Sequence, residues 1–126
     1  MFDHITLDVS DLKKSTAFFE KALAPLGHKK IANIPEYDVV GFGTKRPQFW
    51  LVQGNPQVDA DEVHICFSAK TRKIVDEFYA AAITAGGKDN GKPGIRKEYG
   101  PNYYGAFVLD PDGFNIEAVY REGETG

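Results

Sequence analysis

Only one cysteine, Cys66, occurs in the 126 residues. No disulfide can form within the chain, and nothing points to an oxidising compartment. No stretch reaches the roughly 18 consecutive apolar residues of a membrane span, and the opening MFDHITLDV lacks the basic-then-apolar pattern of a secretory leader. Positive charge is not in excess either. The formal charge is -3, which gives no electrostatic reason to expect nucleic acid or an anionic membrane surface as a partner. Gly/Ser linkers and low-complexity tracts are missing, and the polar tail Arg121 to Gly126 is the one segment set outside the fold. These absences leave a cytoplasmic protein that works on a small molecule. What is present, a hydrophobic fraction of 42% and an aromatic fraction of 13%, suits a single ordered domain spanning 1–126 with a core of its own.

The chain also repeats itself. The same spacing of 60 residues separates His4 from His64 and Gly27 from Gly87, with no gap between. Under it Ile5 falls on Ile65, Leu7 on Phe67, Phe18 on Phe78, Phe19 on Tyr79, Ala22 on Ala82 and Leu23 on Ile83. Two copies that cannot each cover an apolar face alone must cover it jointly. Unit 1 takes in about 1–56 and unit 2 about 61–121.

Each unit opens on alternation. Ile5, Leu7 and Val9 share one face of a strand with His4, Thr6 and Asp8 on the other; Val63, Ile65 and Phe67 oppose His64, Cys66 and Ser68 with the same parity. A helix follows each. The first is capped by Ser10 or Asp11, carries Phe18, Phe19, Ala22, Leu23 and Leu26, and ends at Gly27; the second is capped by Thr71, carries Ile74, Val75, Phe78, Tyr79, Ala82 and Ile83, and ends at Gly86-Gly87. Three extended runs follow the first helix (His28 to Ile34, Tyr37 to Gly43, Gln48 to Val52). Three follow the second, near Gly94 to Glu98, Tyr104 to Leu109 and Phe114 to Tyr120, with Asp110-Pro111-Asp112-Gly113 as a turn. The pattern predicts an α+β fold of two tandem β-α-β-β-β units.

In the last run Asn115, Glu117 and Val119 share a face, and a carboxylate among apolar neighbours is costly to bury unless something pairs with it. The repeat supplies two equivalent histidines on polar strand faces. His4, His64 and Glu117 together form a two-histidine, one-carboxylate set that leaves further positions on an ion to water or substrate, as suits Fe(II) and is acceptable to Mn, Ni, Co or Zn. Singly, a strand histidine is a hydrogen-bonded or partly exposed side chain and an edge-strand Glu is solvated; it is their combination that points to a metal. Laid on unit 2 from its end, Phe49-Trp50-Leu51-Val52 meets Ile116-Glu117-Ala118-Val119, so Trp50 stands where Glu117 does, either as a core aromatic or as a pocket wall.

The segments HITLDVSDLKKSTAFFEKALAPLG, HICFSAK and YYGAFVLDPDGFNIEAVYRE make the chain resemble the vicinal oxygen chelate superfamily, the glyoxalase, bleomycin-resistance and extradiol-dioxygenase group, over nearly its whole length. The resemblance implies that the paired units form an open, barrel-like mixed sheet around a cavity. It also implies a divalent transition metal bound at positions matching His4, His64 and Glu117. Members resembling glyoxalase I use a fourth ligand, where this chain has Trp50; extradiol dioxygenases and fosfomycin-modifying enzymes use three; bleomycin-binding members use none. The ion is chelated by two neighbouring substrate oxygens, so that developing negative charge is neutralised. The implied activity is that of a lyase, isomerase or dioxygenase, and the alternative is a non-catalytic drug-sequestering protein of the bleomycin-resistance type using a cavity lined by Trp50, Phe49, Tyr103 and Tyr104. Family and length together suggest a homodimer, with the units paired within one chain or exchanged between two.

Around the metal, Tyr103 or Tyr104 can donate to a substrate oxygen and Arg46 or Arg96 can pair with a carboxylate or phosphate, while Thr6, Asp8, Cys66 and Ser68 share the histidines' parity as lining. No general base is assigned: His28, just past a helix end, is expected to be exposed. Cys66, without a basic partner at a recognisable spacing, is expected to be a small buried residue.

Overall fold

The structure is a computed structural model that describes residues 1–123; the end of the expected tail, 124–126, lies outside the described residues. In β1 (Ile5–Val9) Leu7 and Val9 are buried while Thr6 and Asp8 face out, as the alternation predicts, but Ile5, expected with the buried set, is exposed at the start of the strand. Asp11 then caps α1 (Leu12–Leu23), its side chain accepting from the Lys14 N–H, and the helix buries Phe18, Phe19, Ala22 and Leu23. Gly27, with φ of +88°, closes the short turn that follows; an L side chain there would be strained. Three strands complete the unit: β2 (Lys29–Ile34), β3 (Val39–Gly43) and β4 (Pro47–Gln53).

Unit 2 runs through β5 (His64–Ser68), α2 (Arg72–Thr84), β6 (Lys88–Ile95), β7 (Tyr103–Leu109) and β8 (Asn115–Arg121), with Thr71 capping α2 through the Ile74 N–H. Val75, Phe78 and Ala82 are buried, but Ile83, expected on that stripe, is exposed. β6 starts well before the expected Gly94 because Gly91, Pro93 and Gly94 punctuate a real strand. β6 is an edge strand, where a proline without N–H costs no ladder bond, and its register shifts twice, at Gly91 and Gly94. At the other end Arg121 closes β8 and does not belong to the tail.

Each unit folds into its own four-stranded mixed sheet, ordered β1-β4-β3-β2 and β5-β8-β7-β6. Each helix is the crossover that lets the first strand run parallel to the last. Both histidine-bearing ends thus lie on edge strands, and the two sheets do not close into a barrel. Register confirms the internal alignment: Thr6 stands opposite Trp50, and Cys66 opposite Glu117.

One core serves both units. Phe49 of β4 meets Phe67 of β5 edge-on at 5.3 Å between ring centroids. At Gly87 a Cβ would lie 2.5 Å from Val108 Cγ1 and 2.9 Å from Phe18 Cε1, so only glycine lets unit 1's helix come this close to unit 2. The units are also tied at the surface, where Ser10 donates through both its N–H and its hydroxyl to the Asp112 carboxylate. At the seam lies an apolar cavity of about 200 Å³, lined by Ile5, Leu23, His28, Phe42, Phe49 and Phe67 among others. His28 is half-buried rather than exposed: its Nδ1 is sequestered without a partner, and burial lowers the imidazole pKa.

The turn before β8 stores a charge. Asp110 is buried; Oδ1 accepts from the Asp112 and Phe114 N–H groups at 2.9 Å, while buried Oδ2 has no partner. Burial raises its pKa to about 6, only partly opposed by those N–H groups. Because the folded chain holds this proton more tightly than the unfolded one, the stabilisation is complete below about pH 4 and is lost as pH rises to about 6, an effect on the order of 3 kcal/mol. We expect the stability of wild type relative to Asp110→Asn, from urea unfolding, to fall between pH 4 and 6.5 and then level off. A difference that grows with pH over that range would contradict the assignment.

Candidate functional site

Glu117 is the deepest charged side chain of the described residues, 1% exposed in the middle of β8, opposite Cys66 of β5 and Phe107 of β7. Its two oxygens are used separately. Oε2 accepts the Tyr103 hydroxyl in a short hydrogen bond, and Oε1 meets His64 Nε2 at 2.8 Å. Gly105 makes the first contact feasible, since a Cβ there would stand 3.0 Å from Tyr103 Cε1 and 3.1 Å from Glu117 Oε2. Desolvation, and then the bond to Glu117, push the Tyr103 phenol well above its usual pKa, so it remains a proton donor at neutral pH.

Cys66 shares this face and is exposed, against expectation: only alternate residues of β5 turn inward, and among the described residues no strand covers its outer edge. Even so, desolvation against the sheet and the neighbouring Glu117 carboxylate push its thiol pKa far up. It is therefore no thiolate nucleophile at neutral pH, in line with its lack of a basic partner. Two guanidinium groups lie on aromatic rings of the same face. Arg96 sits 5.5 Å over Phe107, whose ring is 6.1 Å from that of His64, and Arg121 sits 4.7 Å over Tyr103. Arg96 is further held by the Lys92 carbonyl at 2.6 Å, in space left by Gly91 and Gly94.

His4 is placed differently. It precedes β1, and its Nδ1 lies 2.7 Å from Asp3 Oδ1; Asp3 in turn meets Arg46 at 3.3 Å. The bond to His4 and the charge of Arg46 hold the Asp3 carboxyl below its usual pKa. His4, Thr6 and Trp50 line a shallow depression with Tyr37, Val39 and Pro47, in which the indole lies against Gly41.

The structure therefore brings His64, Glu117, Tyr103 and Cys66 together, with Arg96 at their margin, and gathers His4, Thr6 and Trp50 on the other sheet. Among the described residues no three His, Cys, Asp or Glu side chains converge in a group able to hold an ion. Two expected lining residues, Tyr104 and Phe49, and one expected partner for a substrate anion, Arg46, are engaged elsewhere. Tyr104 donates to Asp76 of α2 and lies under Arg72, on the helix side of its sheet. Phe49 belongs to the core with Phe19 and Phe42. Arg46 engages Asp3. The sequence reading missed Asp3, Phe107 and Arg121. Asp3 had a signal in its position next to His4, whereas Phe107 and Arg121 become neighbours of the site only through the β7–β8 register.

Residues 1–118 match the family model described as the Glyoxalase/Bleomycin resistance protein/Dioxygenase superfamily. Among solved structures, the chain is similar to a glyoxalase/bleomycin resistance protein from Albidiferax ferrireducens T118, with 28% identity, a TM-score of 0.80, and coverage of 96% of this chain and 98% of that one. It also shares its fold with a mutant of the fosfomycin resistance protein FosX from Listeria monocytogenes, complexed with Mn(II) and 1S,2S-dihydroxypropylphosphonic acid. There the identity is 21%, the TM-score 0.70, and the coverage 94% and 87%. No curated protein matches the sequence. No helix among the described residues is long and apolar enough to cross a membrane.

If Tyr103 is what makes burial of Glu117 Oε2 tolerable, Tyr103→Phe leaves a buried acceptor unsatisfied, and urea unfolding should show a loss of about 1–3 kcal/mol. Stability unchanged within error would mean that the hydrogen bond does not hold Glu117.

Proposed function

The chain belongs to the Glyoxalase/Bleomycin resistance protein/Dioxygenase superfamily, and from that premise we propose that it is a cytoplasmic, metal-dependent enzyme, a lyase, isomerase or dioxygenase, acting on a small oxygen-chelating molecule. The observation that carries this reading is the His64–Glu117 contact: an imidazole nitrogen and a carboxylate oxygen 2.8 Å apart, with the second carboxylate oxygen committed to Tyr103. The two atoms that share a proton here are the two that would be offered to a cation. With His4 added, the donor set of two imidazoles and one carboxylate fits Fe(II), Mn(II), Ni(II), Co(II) or Zn(II); the FosX relative is a Mn(II) complex.

When bound, such an ion supplies electrophilic stabilisation of negative charge on two neighbouring substrate oxygens. The chain's own residues do the rest. Tyr103 fixes the orientation of Glu117, and Phe107 backs the His64 ring. Arg96 and Arg121, seated on aromatic rings, stand where an anionic group of the substrate would find a preformed donor fork. Trp50, where unit 2 has its carboxylate, supplies an aromatic wall instead of a fourth ligand.

The third ligand dictates the assembly. His4 of the same chain engages Asp3 on the other sheet, and β1 and β5 are both edge strands. The reading that completes the site is a homodimer in which His4 of one protomer joins His64 and Glu117 of the other. Purified wild type is expected to carry close to one transition ion per chain, and His4→Ala, His64→Ala and Glu117→Gln each to carry almost none. Mixing His4→Ala with His64→Ala after co-refolding should restore one intact site per mixed dimer. Failure of this complementation overturns the shared site. A metal-free wild type that binds a flat aromatic ligand overturns the enzyme reading in favour of sequestration.

A further inference from the structure

Asp3 and Arg46 belong neither to the core nor to the His64–Glu117 cluster, yet they form a chain of contacts that ends on His4. Asp3 Oδ1 lies 2.7 Å from His4 Nδ1, and Asp3 Oδ2 lies 3.3 Å from Arg46 Nη1. The same guanidinium donates to the Asp3 carbonyl at 3.5 Å, so Arg46, in the β3–β4 turn, grips the residue by both side chain and backbone. A neutral imidazole carries a single N–H. With that N–H directed from Nδ1 to a carboxylate, Nε2 keeps its lone pair. This is the arrangement by which an outer carboxylate fixes the tautomer and ring orientation of a metal-binding histidine.

The repeat provides an internal control. The counterpart of Asp3 in unit 2 is Val63, whose side chain has no acceptor, and His64 instead turns Nε2 to Glu117. The two histidines match in sequence position but not in how they are oriented. His64 is set by a neighbour inside the cluster, whereas the His4 side chain, 55% exposed, has Asp3 as its hydrogen-bond partner. Without that carboxylate, an exposed imidazole is free to rotate and to carry its proton on either nitrogen.

We infer that Asp3, clamped by Arg46, is a positioning residue that holds His4 as its Nδ1-protonated tautomer and thereby presents Nε2 as the ligating atom. The inference rests on the metal reading above for its purpose, but its first readout does not involve metal. In nitrogen-15 NMR of the metal-free full chain at pH 8, His4 of wild type should show a protonated Nδ1 and an unprotonated Nε2. Asp3→Ala should shift it towards the Nε2-protonated form, and Arg46→Gln should do so partially. Asp3→Asn, which keeps an acceptor oxygen, should largely retain the wild-type pattern, and Glu36→Ala, which also removes an exposed negative charge, should leave it unchanged. In calorimetric titration with Mn(II), Asp3→Ala should bind about 10-fold more weakly or worse. A His4 tautomer identical in wild type and Asp3→Ala overturns the inference whatever the ion does, and so does equal Mn(II) affinity. A wild-type chain that binds no divalent ion overturns the preceding proposal instead.

Discussion

A carboxylate buried in the middle of a β-strand is tolerated only if its oxygens are satisfied, and Glu117 imposes that requirement on everything around it. Leaving such a group unpaired would cost several kcal/mol, comparable to a large fraction of a small domain's net stability. The local sequence is organised accordingly. Gly105 clears the space that lets Tyr103 reach one oxygen, and the parallel pairing of β5 with β8 brings His64 to the other. The neighbouring Cys66 thiol and Tyr103 phenol are both kept protonated, chiefly by desolvation and further by Glu117 itself. The Glu117 carboxylate is thus held between the Tyr103 hydroxyl and the His64 imidazole, with the Arg96 and Arg121 guanidinium groups seated on aromatic rings of the same face.

The duplication divides the residues proposed as ligands between two sheets: His4 beside one, His64 and Glu117 on the other. Each unit must set its helix against a common core, and Gly87 shows how closely Phe18 of unit 1 approaches unit 2. That packing uses the helix side of both sheets and leaves the histidine sides free. The two units have also diverged at equivalent positions: Glu117 against Trp50, Val63 against Asp3. One sheet carries the buried Glu117 carboxylate with His64 against it. The other has a histidine, a tryptophan and the Asp3 carboxylate in contact with that histidine.

Much of this was legible in the residues. Alternation gave both histidine strands their faces, the Asp11 and Thr71 caps and Gly27 marked helix ends, and the repeat aligned Trp50 with Glu117 in agreement with the observed register. The errors have physical causes. The extended run expected near Gly94 to Glu98 misses the start of β6 because Gly91, Pro93 and Gly94 are turn residues, tolerated there because the strand is an edge. Tyr103 and Tyr104 are adjacent, so which one meets Glu117 depends on the phase of β7, fixed by pairing with β8 rather than by composition. The seating of Arg121 on Tyr103 and the isolation of Asp110 Oδ2 are likewise consequences of tertiary register.

The central claim is that two imidazoles, one from each repeat, and the Glu117 carboxylate act on one cation. Electron spin-echo envelope modulation of the Cu(II)-loaded protein counts coordinated imidazoles directly. Two equivalent classes of remote imidazole nitrogen in wild type, reduced to one in His4→Ala, are what the account predicts. A wild-type spectrum with a single coordinated imidazole, unchanged by removal of His4, would contradict it.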